Sequence, residues 1–261
     1  MSQADISGLP SPIARLHELF RRTAVALSNL VAGSMSAARD GISRGIVRAG
    51  IPPNAVTLAG PVVASMVFLP AYYGNQPLAG LVLIVAGAFD VLDGAVARLS
   101  SGVSPFGGYL DSMVDRYSDF CILFGILVEI DRHWNEPQRL LYLILWGLVV
   151  VGTSTTAYAR ARAETVIQHC KVGFMERPER TVTVILGLLC GNAHLSLWIL
   201  AVMTNLISIQ RILYARSQMT GRESRGQFWF WTYPRVTAPH FAMCAVFILI
   251  LIFGHQLIPR P

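Results

Sequence analysis

Charged residues are scarce in this chain. Only 14% of its 261 residues are Asp, Glu, Lys or Arg, whereas 53% are hydrophobic. A typical soluble domain has about 25% charged residues. Apolar runs such as FAMCAVFILILIFGHQLI approach the ~20 residues that a membrane-spanning helix needs. The composition therefore excludes an ordinary soluble domain and predicts an all-α integral membrane protein that crosses the bilayer several times.

Paired cysteines and a secretory leader are also missing. The four cysteines stand singly, with no CxxC motif and no histidine pairing. They are therefore interpreted as small apolar side chains rather than as a disulfide or zinc framework. The amino-terminal segment MSQADISGLPSP lacks the basic-then-apolar pattern of a signal peptide. We therefore expect the first spanning helix to act as the insertion signal.

The net charge of +6 reflects arginines that cluster at the ends of apolar segments. Orientation in the bilayer explains this distribution better than nucleic-acid binding does, and we expect no nucleic-acid partner. The basic clusters are 1–49, Arg98, 158–180 and 210–227. The opposite side holds mainly DRHWNEPQR and the turn GNAH. The positive-inside rule predicts that the basic clusters face the cytoplasm, in a multi-pass protein of the cell (inner) membrane.

The apolar runs predict six transmembrane helices and a seventh near the carboxyl end. They are expected near 55–73, 78–98, 107–130, 138–160, 178–193, 196–216 and 236–256. Residues 13–49 mix apolar and basic side chains, which is typical of a helix in the membrane interface, although a loose basic tail is the alternative. Pro52 and Pro53 end this segment. Two crossings within 181–211 leave about 15 residues per helix, so a single crossing or a re-entrant segment stays open.

Four aspartates stand in one short apolar stretch: Asp90 and Asp93 in FDVLDGAVAR, and Asp111 and Asp115 in GGYLDSMVDR. Burying an unpaired charge is costly, so such a cluster indicates a bound positive group. The spacings of three and four residues place each pair on one helix face, and the turn LSSGVSPFG brings the two faces together. Carboxylates are hard oxygen ligands of the kind that Mg²⁺ or Mn²⁺ selects. The pattern predicts a two-metal site at a membrane surface.

Two other interpretations of these aspartates stay open. A single aspartate in an apolar helix is often a cap or one half of an ion pair, and Arg98 and Arg116 are available as partners. A divalent-metal transporter also carries acidic residues within its spans, but there they are expected at mid-membrane depth on separated helices. The carboxylates here flank a short loop near one membrane face. The enzyme interpretation therefore comes first, with the transporter as the alternative from a different class.

The aspartates belong to a longer pattern, D-x2-D-G-x2-A-R-x8-G-x3-D-x3-D. Its other fixed positions are Gly94, Ala97, Arg98 and Gly107. The string resembles the signature of the CDP-alcohol phosphatidyltransferases, and every fixed position of that signature is present. The resemblance covers roughly residues 50–216. It implies a membrane enzyme with a six-helix core that transfers a phosphatidyl group from CDP-diacylglycerol, or a related CDP-lipid, to a small alcohol and releases CMP.

The same resemblance implies a division of the chain and roles for its residues. Residues 1–50 would be the interfacial segment, 51–217 the transferase core, and 218–261 a basic loop with an extra spanning helix. Two Mg²⁺ or Mn²⁺ ions and a homodimer are implied. The expected metal ligands are Asp90, Asp93, Asp111 and Asp115. Asp115 also matches the general base that deprotonates the acceptor hydroxyl.

Other positions of the resemblance are expected to bind the CDP-lipid. These are Asn54, Thr57, Gly94, Arg98 and Gly107. Glycine lets a nucleotide approach the backbone closely, although close helix packing is the alternative explanation for Gly94 and Gly107. Helix capping is the alternative for Asn54 and Thr57.

Basic strings near the same membrane face bear on the acceptor. ARARAE and GFMERPER resemble phosphatidylinositol-phosphate synthases, whose acceptor is inositol phosphate. Arginine binds phosphate through two parallel hydrogen bonds. The candidate acceptor-phosphate residues are Arg160, Arg162, Arg177, Arg180 and Arg211. Because the positive-inside rule alone fills such loops with arginine, glycerol phosphate and serine stay open as acceptors.

Overall fold

The computed structural model describes residues 36–167, 170, 172–173, 175–220 and 238–253. These ranges consist of helices, turns and connections, without a strand, so the all-α prediction is confirmed for them. Residues 36–48 are helical and form α1. The rest of the predicted interfacial segment, residues 13–35, lies outside the described residues.

Eight further helices follow along the described chain. They are α2 (Pro53–Ser65), α3 (Phe68–Tyr72), α4 (Gln76–Leu99), α5 (Pro105–His133), α6 (Gln138–Ala163), α7 (Arg177–Leu189), α8 (Ala193–Met219) and α9 (Ala238–Phe253). Each predicted span coincides with a helix, although the first is divided into α2 and α3. The interruption falls at Met66–Val67, a few residues after Pro61, a residue that removes a helical hydrogen bond.

Within the described part of the chain, four helical segments are long and apolar enough to cross a membrane. They are Pro53–Tyr72, Gln76–Leu99, Gln138–Ala163 and Ala193–Met219. Among the remaining predicted spans, α5 carries several charged residues, α7 has only 13 residues, and α9 is described over 16 residues. These helices are consistent with an integral membrane protein. The total of six or seven spans stays a prediction.

The chain divides into two compact units, and α4 runs through both. The first unit contains the described part of Met1–Pro53 together with Val91–Val103, and the second contains Asn54–Asp90 and the rest of the described chain. In the first unit the buried side chains include Ser43, Ala95 and Val96. Asp90 therefore belongs to the second unit and Asp93 to the first.

The core of the second unit is built mainly on the contact between α6 and α8. Gly152 of α6 permits this close approach, because a Cβ atom there would lie 2.1 Å from Thr204 Oγ1. Thr156 Oγ1 donates to the carbonyl oxygen of Thr204 over 2.9 Å. Buried Leu and Val side chains, among them Val149 and Leu200, fill the remaining interface. Small residues and interhelical hydrogen bonds of this kind are how helices associate in membranes.

The region 181–211 forms two helices rather than one. Helix α7 ends at Leu189, and Gly191 adopts a left-handed φ of 66° in the turn before α8. Only a residue without Cβ takes this conformation readily, so the turn fits its sequence. Asn192 Nδ2 then donates to the carbonyl oxygen of Leu251 over 2.8 Å, which ties α9 to this turn.

Helix α5 starts at Pro105, two residues before the predicted position near 107. Ser104 is the N-cap residue, with extended backbone, and its Oγ accepts a hydrogen bond from the Gly107 N–H over 3.0 Å. Pro105 occupies the first turn, where its missing N–H costs nothing. This fixed start determines the direction in which the first turns of α5 present their acidic side chains.

Candidate active site

Three of the four predicted aspartates meet in the second unit. Asp90 comes from α4, and Asp111 and Asp115 come from successive turns of α5. Each offers one carboxylate oxygen, and these oxygens all lie within 4.8 Å of one another. Asp90 is exposed and the other two are half-buried. Three hard oxygen donors at this separation fit a divalent cation such as Mg²⁺ or Mn²⁺.

Arg177, the first residue of α7, reaches into this carboxylate group. Its Nη1 lies 2.6 Å from Asp90 Oδ2 and 3.0 Å from Asp115 Oδ1. Its side chain is only 21% exposed. Burial lowers the pKa of the guanidinium, but the neighbouring carboxylates raise it by more, so the pKa lies above its ordinary value and the group stays charged.

A fifth carboxylate, that of Asp119, contacts Arg177 at its Nε atom. Asp119 Oδ1 accepts from Arg177 Nε over 3.3 Å, and Asp119 Oδ2 accepts from Arg180 Nη2 over 3.2 Å. Both Asp119 and Arg180 are 9% exposed, so they form a buried ion pair. Two residues of α7 are thus held by one carboxylate of α5.

Helical periodicity explains why these side chains converge. Asp111, Asp115 and Asp119 are four residues apart on α5 and therefore lie on one face. Arg177 and Arg180 are three apart on α7 and also share a face. The row on α5 is therefore negative and the row on α7 positive, with Asp90 of α4 at one end.

The first unit contains the other predicted residues of the long pattern. Asp93 is buried, and its Oδ1 accepts a hydrogen bond from the Gly94 N–H. A Cβ at Gly94 would lie 3.4 Å from Arg98 Nη1, so the glycine and the arginine are adjacent on α4. Arg98 itself is exposed in the last turn of α4. These positions leave the nucleotide-binding role of Gly94 and Arg98 as a prediction.

Asn54, Thr57 and Gly107 belong to the second unit. Thr57 is buried in α2, whereas Asn54 is exposed at its start. A Cβ at Gly107 would lie 3.2 Å from Ser104 Oγ and 3.8 Å from Asn54 Oδ1. Asn54 and Gly107 are therefore neighbours. Gly107 also gives its N–H to the cap of α5, so it has a structural use besides any ligand contact.

The predicted acceptor arginines fall into different environments. Arg177 contacts the carboxylate group, and Arg180 pairs with Asp119 next to it. Arg160 pairs with Glu164, 3.0 Å from Nε to Oε1, and Arg162 Nη1 donates to Thr165 Oγ1 over 2.9 Å.

Arg211 is buried in α8 and bonds backbone oxygens. Its Nε donates to the carbonyl oxygen of Val172 over 3.1 Å, and its Nη1 donates to that of Thr156 over 2.7 Å. Arg211 therefore fastens the connection between α6 and α7 to α8. Of the five arginines, only Arg177 forms ion pairs with this carboxylate group in the described residues, and Arg180 pairs with the adjacent Asp119.

Asp119 is the residue that the motif did not include. It lies four residues after Asp115, the last fixed position of the pattern, and the i, i+4 continuation was the available signal. Asp119 lies one helical turn after Asp115 on the same face of α5, so it extends the row of acidic side chains along that helix. Its partners on α7 could not be identified from spacing alone.

The sequence model of the CDP-alcohol phosphatidyltransferase family matches residues 51–210. This range contains the carboxylate group, Arg177 and Arg180. The chain therefore belongs to the CDP-alcohol phosphatidyltransferases. It is a transferase of phospholipid biosynthesis and a multi-pass membrane protein, as the sequence predicts.

Two individual relatives indicate which members of the family this chain resembles. The archaetidylinositol phosphate synthase of Pyrococcus horikoshii is 32% identical over 179 residues, which are 68% of this chain and 90% of that protein. The phosphatidylinositol phosphate synthase of Mycobacterium tuberculosis is 31% identical over 182 residues, which are 66% of this chain and 82% of that protein. Both relatives are named for an inositol phosphate lipid product.

Solved structures of the Mycobacterium tuberculosis phosphatidylinositol phosphate synthase have the same fold. The structure with CDP-DAG bound superposes with a TM-score of 0.63 at 29% identity and covers 68% of this chain and 92% of that one. The structure in complex with manganese and citrate gives a TM-score of 0.64 at 28% identity and covers 69% and 89%. The related enzyme thus binds a CDP-lipid and has been obtained with a divalent metal, in agreement with the acidic cluster found here.

Proposed function

We propose that this protein transfers the phosphatidyl group of CDP-diacylglycerol, or of a related CDP-lipid, to inositol phosphate and releases CMP. The observation that carries the proposal is the position of Arg177. It is a charged arginine directly beside the carboxylates that would bind the metals, 2.6 Å from Asp90. A phosphorylated acceptor needs a cation at this place, because its own negative charge must approach an acidic group. The inositol phosphate products for which two relatives are named support the same acceptor.

The proposed metal ligands are Asp90, Asp93, Asp111 and Asp115, which would hold two Mg²⁺ or Mn²⁺ ions. The close carboxylate oxygens of Asp90, Asp111 and Asp115 support three of these ligands. Divalent ions held by these carboxylates would neutralise negative charge on the diphosphate and on the attacking and leaving oxygens.

Asp115 is the proposed general base. The acceptor hydroxyl oxygen attacks the phosphorus that carries the diacylglycerol, and the bond from this phosphorus to the oxygen of CMP breaks. The hydroxyl proton passes to Asp115, and the electron pair of the broken bond leaves on CMP. Asp115 is half-buried on α5 with Arg177 3.0 Å away, so the carboxylate is oriented before the acceptor arrives.

The residues proposed to bind the CDP-lipid are Asn54, Thr57, Gly94, Arg98 and Gly107. Two contacts support this set: Gly94 adjoins Arg98 on one surface of α4, and Asn54 adjoins Gly107 at the start of α5. Glycine lets a nucleotide approach the helix backbone closely, and an exposed arginine can bind a phosphate.

The residues proposed to bind the acceptor phosphate are Arg160, Arg162, Arg177, Arg180 and Arg211. Their environments rank them differently. Arg177 contacts the carboxylate group itself and is the first of these. Arg180 and Arg211 are buried. Arg180 donates to the carboxylate of Asp119 and Arg211 to a backbone carbonyl oxygen, so both stabilise the structure around the site. Arg160 and Arg162, on the last turn of α6, are less buried than these two, and an anion that approaches from water can reach them.

The proposal includes a setting for the reaction. Residues 51–217 are the transferase core, with 1–50 as an interfacial segment and 218–261 as an additional segment. The active site faces the cytoplasm of the cell (inner) membrane, where CDP-lipids and water-soluble acceptors meet. A homodimer is proposed on family resemblance.

The test is an acceptor panel with purified protein and CDP-diacylglycerol in liposomes, scored by CMP release. Inositol phosphate, glycerol phosphate, serine and free inositol are compared in parallel with Mg²⁺, with Mn²⁺ and with chelator. We expect the highest kcat/KM with inositol phosphate and no CMP release with chelator. A preference for serine or free inositol would contradict the proposed acceptor, and full activity in chelator would contradict the metal site.

A further inference from the structure

We infer that Asp119 is a positioning residue for the transferase reaction, acting through Arg177. The inference rests on the proposed function, because it concerns the arginine that would receive the anionic acceptor. Asp119 belongs to none of the fixed positions of the family pattern. It is a buried carboxylate that contacts two arginines of α7.

The geometry around Arg177 shows what Asp119 does. Nη1 of Arg177 contacts Asp90 and Asp115, while its Nε contacts Asp119 over 3.3 Å. The guanidinium is planar and rigid, so contacts on two different edges fix both its position and its rotation. Without Asp119, the contacts of Nη1 alone leave the plane free to turn about that end.

Asp119 also determines where α7 starts relative to α5. Its second oxygen accepts from Arg180, which is 9% exposed. A buried guanidinium must be paired, because an uncompensated charge in a low-dielectric interior is strongly unfavourable. One carboxylate therefore holds both arginines of the first turn of α7, and it holds Arg177 beside the proposed base Asp115.

Other roles for Asp119 fit the structure less well. Asp119 lies eight residues beyond Asp111 on α5, which is about 12 Å along the helix axis. Both of its oxygens are engaged by arginine nitrogens. It is therefore placed neither as a further metal ligand nor as a proton acceptor for the substrate hydroxyl.

Asp119→Asn is the direct test, with Asp131→Asn as the matched control. Asp131 is a carboxylate on the same helix that also pairs with an arginine, Arg139, over 2.6 Å, but it lies near the opposite end of α5. We expect Asp119→Asn to raise the acceptor KM roughly 10- to 100-fold, the range of one charge-assisted contact. The CDP-lipid KM should stay within about twofold, and the control should match the wild type.

A double-variant cycle separates positioning from a general structural role. If Asp119 acts through Arg177, the variant Arg177→Gln should already lose what Asp119 contributes. Adding Asp119→Asn to it should then change the acceptor kcat/KM by no more than about twofold. If the two effects multiply instead, Asp119 does not act through Arg177 and the inference is wrong.

The remaining outcomes are also decisive. A parallel rise of both KM values, with a lower melting temperature, would show that Asp119 only stabilises the fold. If Asp119→Asn yields no folded protein, Asp119→Glu with Asp131→Glu as control carries the same prediction, because it keeps the charge and displaces the carboxylate by one methylene.

The cycle is measured with the acceptor that the wild type uses best. A wild type that prefers an unphosphorylated alcohol would therefore contradict the proposed function. The coupling between Asp119 and Arg177 would still decide the present inference in that case.

Discussion

Charge balance around Arg177 determines what the site can bind. Asp90, Asp111, Asp115 and Asp119 face two guanidinium groups, so the carboxylates are in excess even with both arginines in place. An excess of negative charge at partly buried positions favours a cation with more than one charge. The same arginine keeps a positive charge available at the edge of the group. An acidic site can thus admit a second, anionic substrate.

Asp111→Asn should abolish metal binding and CMP release together. Asp111 is one of the three close oxygen donors, and an amide is a poorer ligand for Mg²⁺ or Mn²⁺ than a carboxylate. Titration of Mn²⁺ by electron paramagnetic resonance measures the binding, and CMP release measures the reaction. Asp131→Asn serves as the control with the same chemical change. An Asp111→Asn protein that binds Mn²⁺ and turns over like the wild type would contradict the ligand assignment.

Arg177→Gln and Arg98→Gln should affect opposite substrates. Loss of Arg177 should raise the acceptor KM by about one to two orders of magnitude, because a contact with a charged group is worth ~1.5–3 kcal/mol. The CDP-lipid KM should change little. Arg98→Gln should show the reverse pattern. The measurement is a kinetic titration of both substrates on each variant. Equal changes of the acceptor KM and the CDP-lipid KM in either variant would contradict the assignment of that arginine to one substrate.

The sequence predicted the carboxylates of the site better than their cationic partners. The spacing of four residues places Asp111 and Asp115 on one face of α5, because the helical period itself determines the face. Arg177 and Arg180 lie more than 50 residues away from these aspartates in sequence. Their approach depends on how α7 packs, which local periodicity does not contain. Asp119 was missed because its function depends on those same arginines.

At the scale of helices, the contact between α6 and α8 depends on a single missing side chain. A Cβ at Gly152 would lie 2.1 Å from Thr204 Oγ1 and 2.8 Å from Asn205 Nδ2. Those atoms belong to side chains that already bond backbone oxygens of α6 and α8. They cannot move aside without losing these hydrogen bonds.

Gly152→Ala should therefore destabilise the protein, and Gly147→Ala on the same helix should not. Overpacking a tight contact costs about 1–3 kcal/mol, whereas a Cβ at Gly147 meets nothing within 4 Å. At Gly147 the substitution should be neutral or slightly stabilising, because alanine is the better helix former. Thermal unfolding in detergent compares the two variants. Equal melting temperatures would mean that α6 and α8 adjust to the extra methyl group.

The helix boundaries show which features of the fold the apolar pattern of the sequence predicts and which it does not. It predicted helices at all seven places, but it did not predict the division of the first span at Met66–Val67. It also left 181–211 undecided, because two crossings there leave only about 15 residues per helix. The deciding signal was Gly191, a residue suited to the left-handed turn between two helices. The turn at Gly191 thus explains why this region forms two helices, and the number of membrane crossings stays a prediction.

At the scale of the whole molecule, the family core and the additional helix are connected. The family match ends at residue 210, so α9 lies outside it. Nevertheless α9 packs against both α7 and α8. Because α7 begins with Arg177, the added helix supports an element that contributes directly to the proposed site. Its packing position gives α9 a structural role.

The orientation of the molecule in the membrane is the last prediction. Helix α5 has 29 residues, so it extends over about 43 Å, which exceeds the ~30 Å of the hydrocarbon core. The connections at its two ends should therefore lie on opposite sides. Arginine-rich segments accompany the end with the carboxylates, and the positive-inside rule places that end in the cytoplasm.

Single cysteines in a cysteine-free protein test this orientation, with Val103→Cys before α5 and Asn135→Cys after it. Both positions are exposed, so a membrane-impermeant maleimide can reach them from the correct side. We expect labelling at 135 in intact cells and labelling at 103 only after permeabilisation. Positions 222 and 261 extend the test, with 261 expected outside if the seventh span exists. Labelling at 103 but not at 135 in intact cells would place the carboxylates outside, where a cytoplasmic CDP-lipid reaction could not use them.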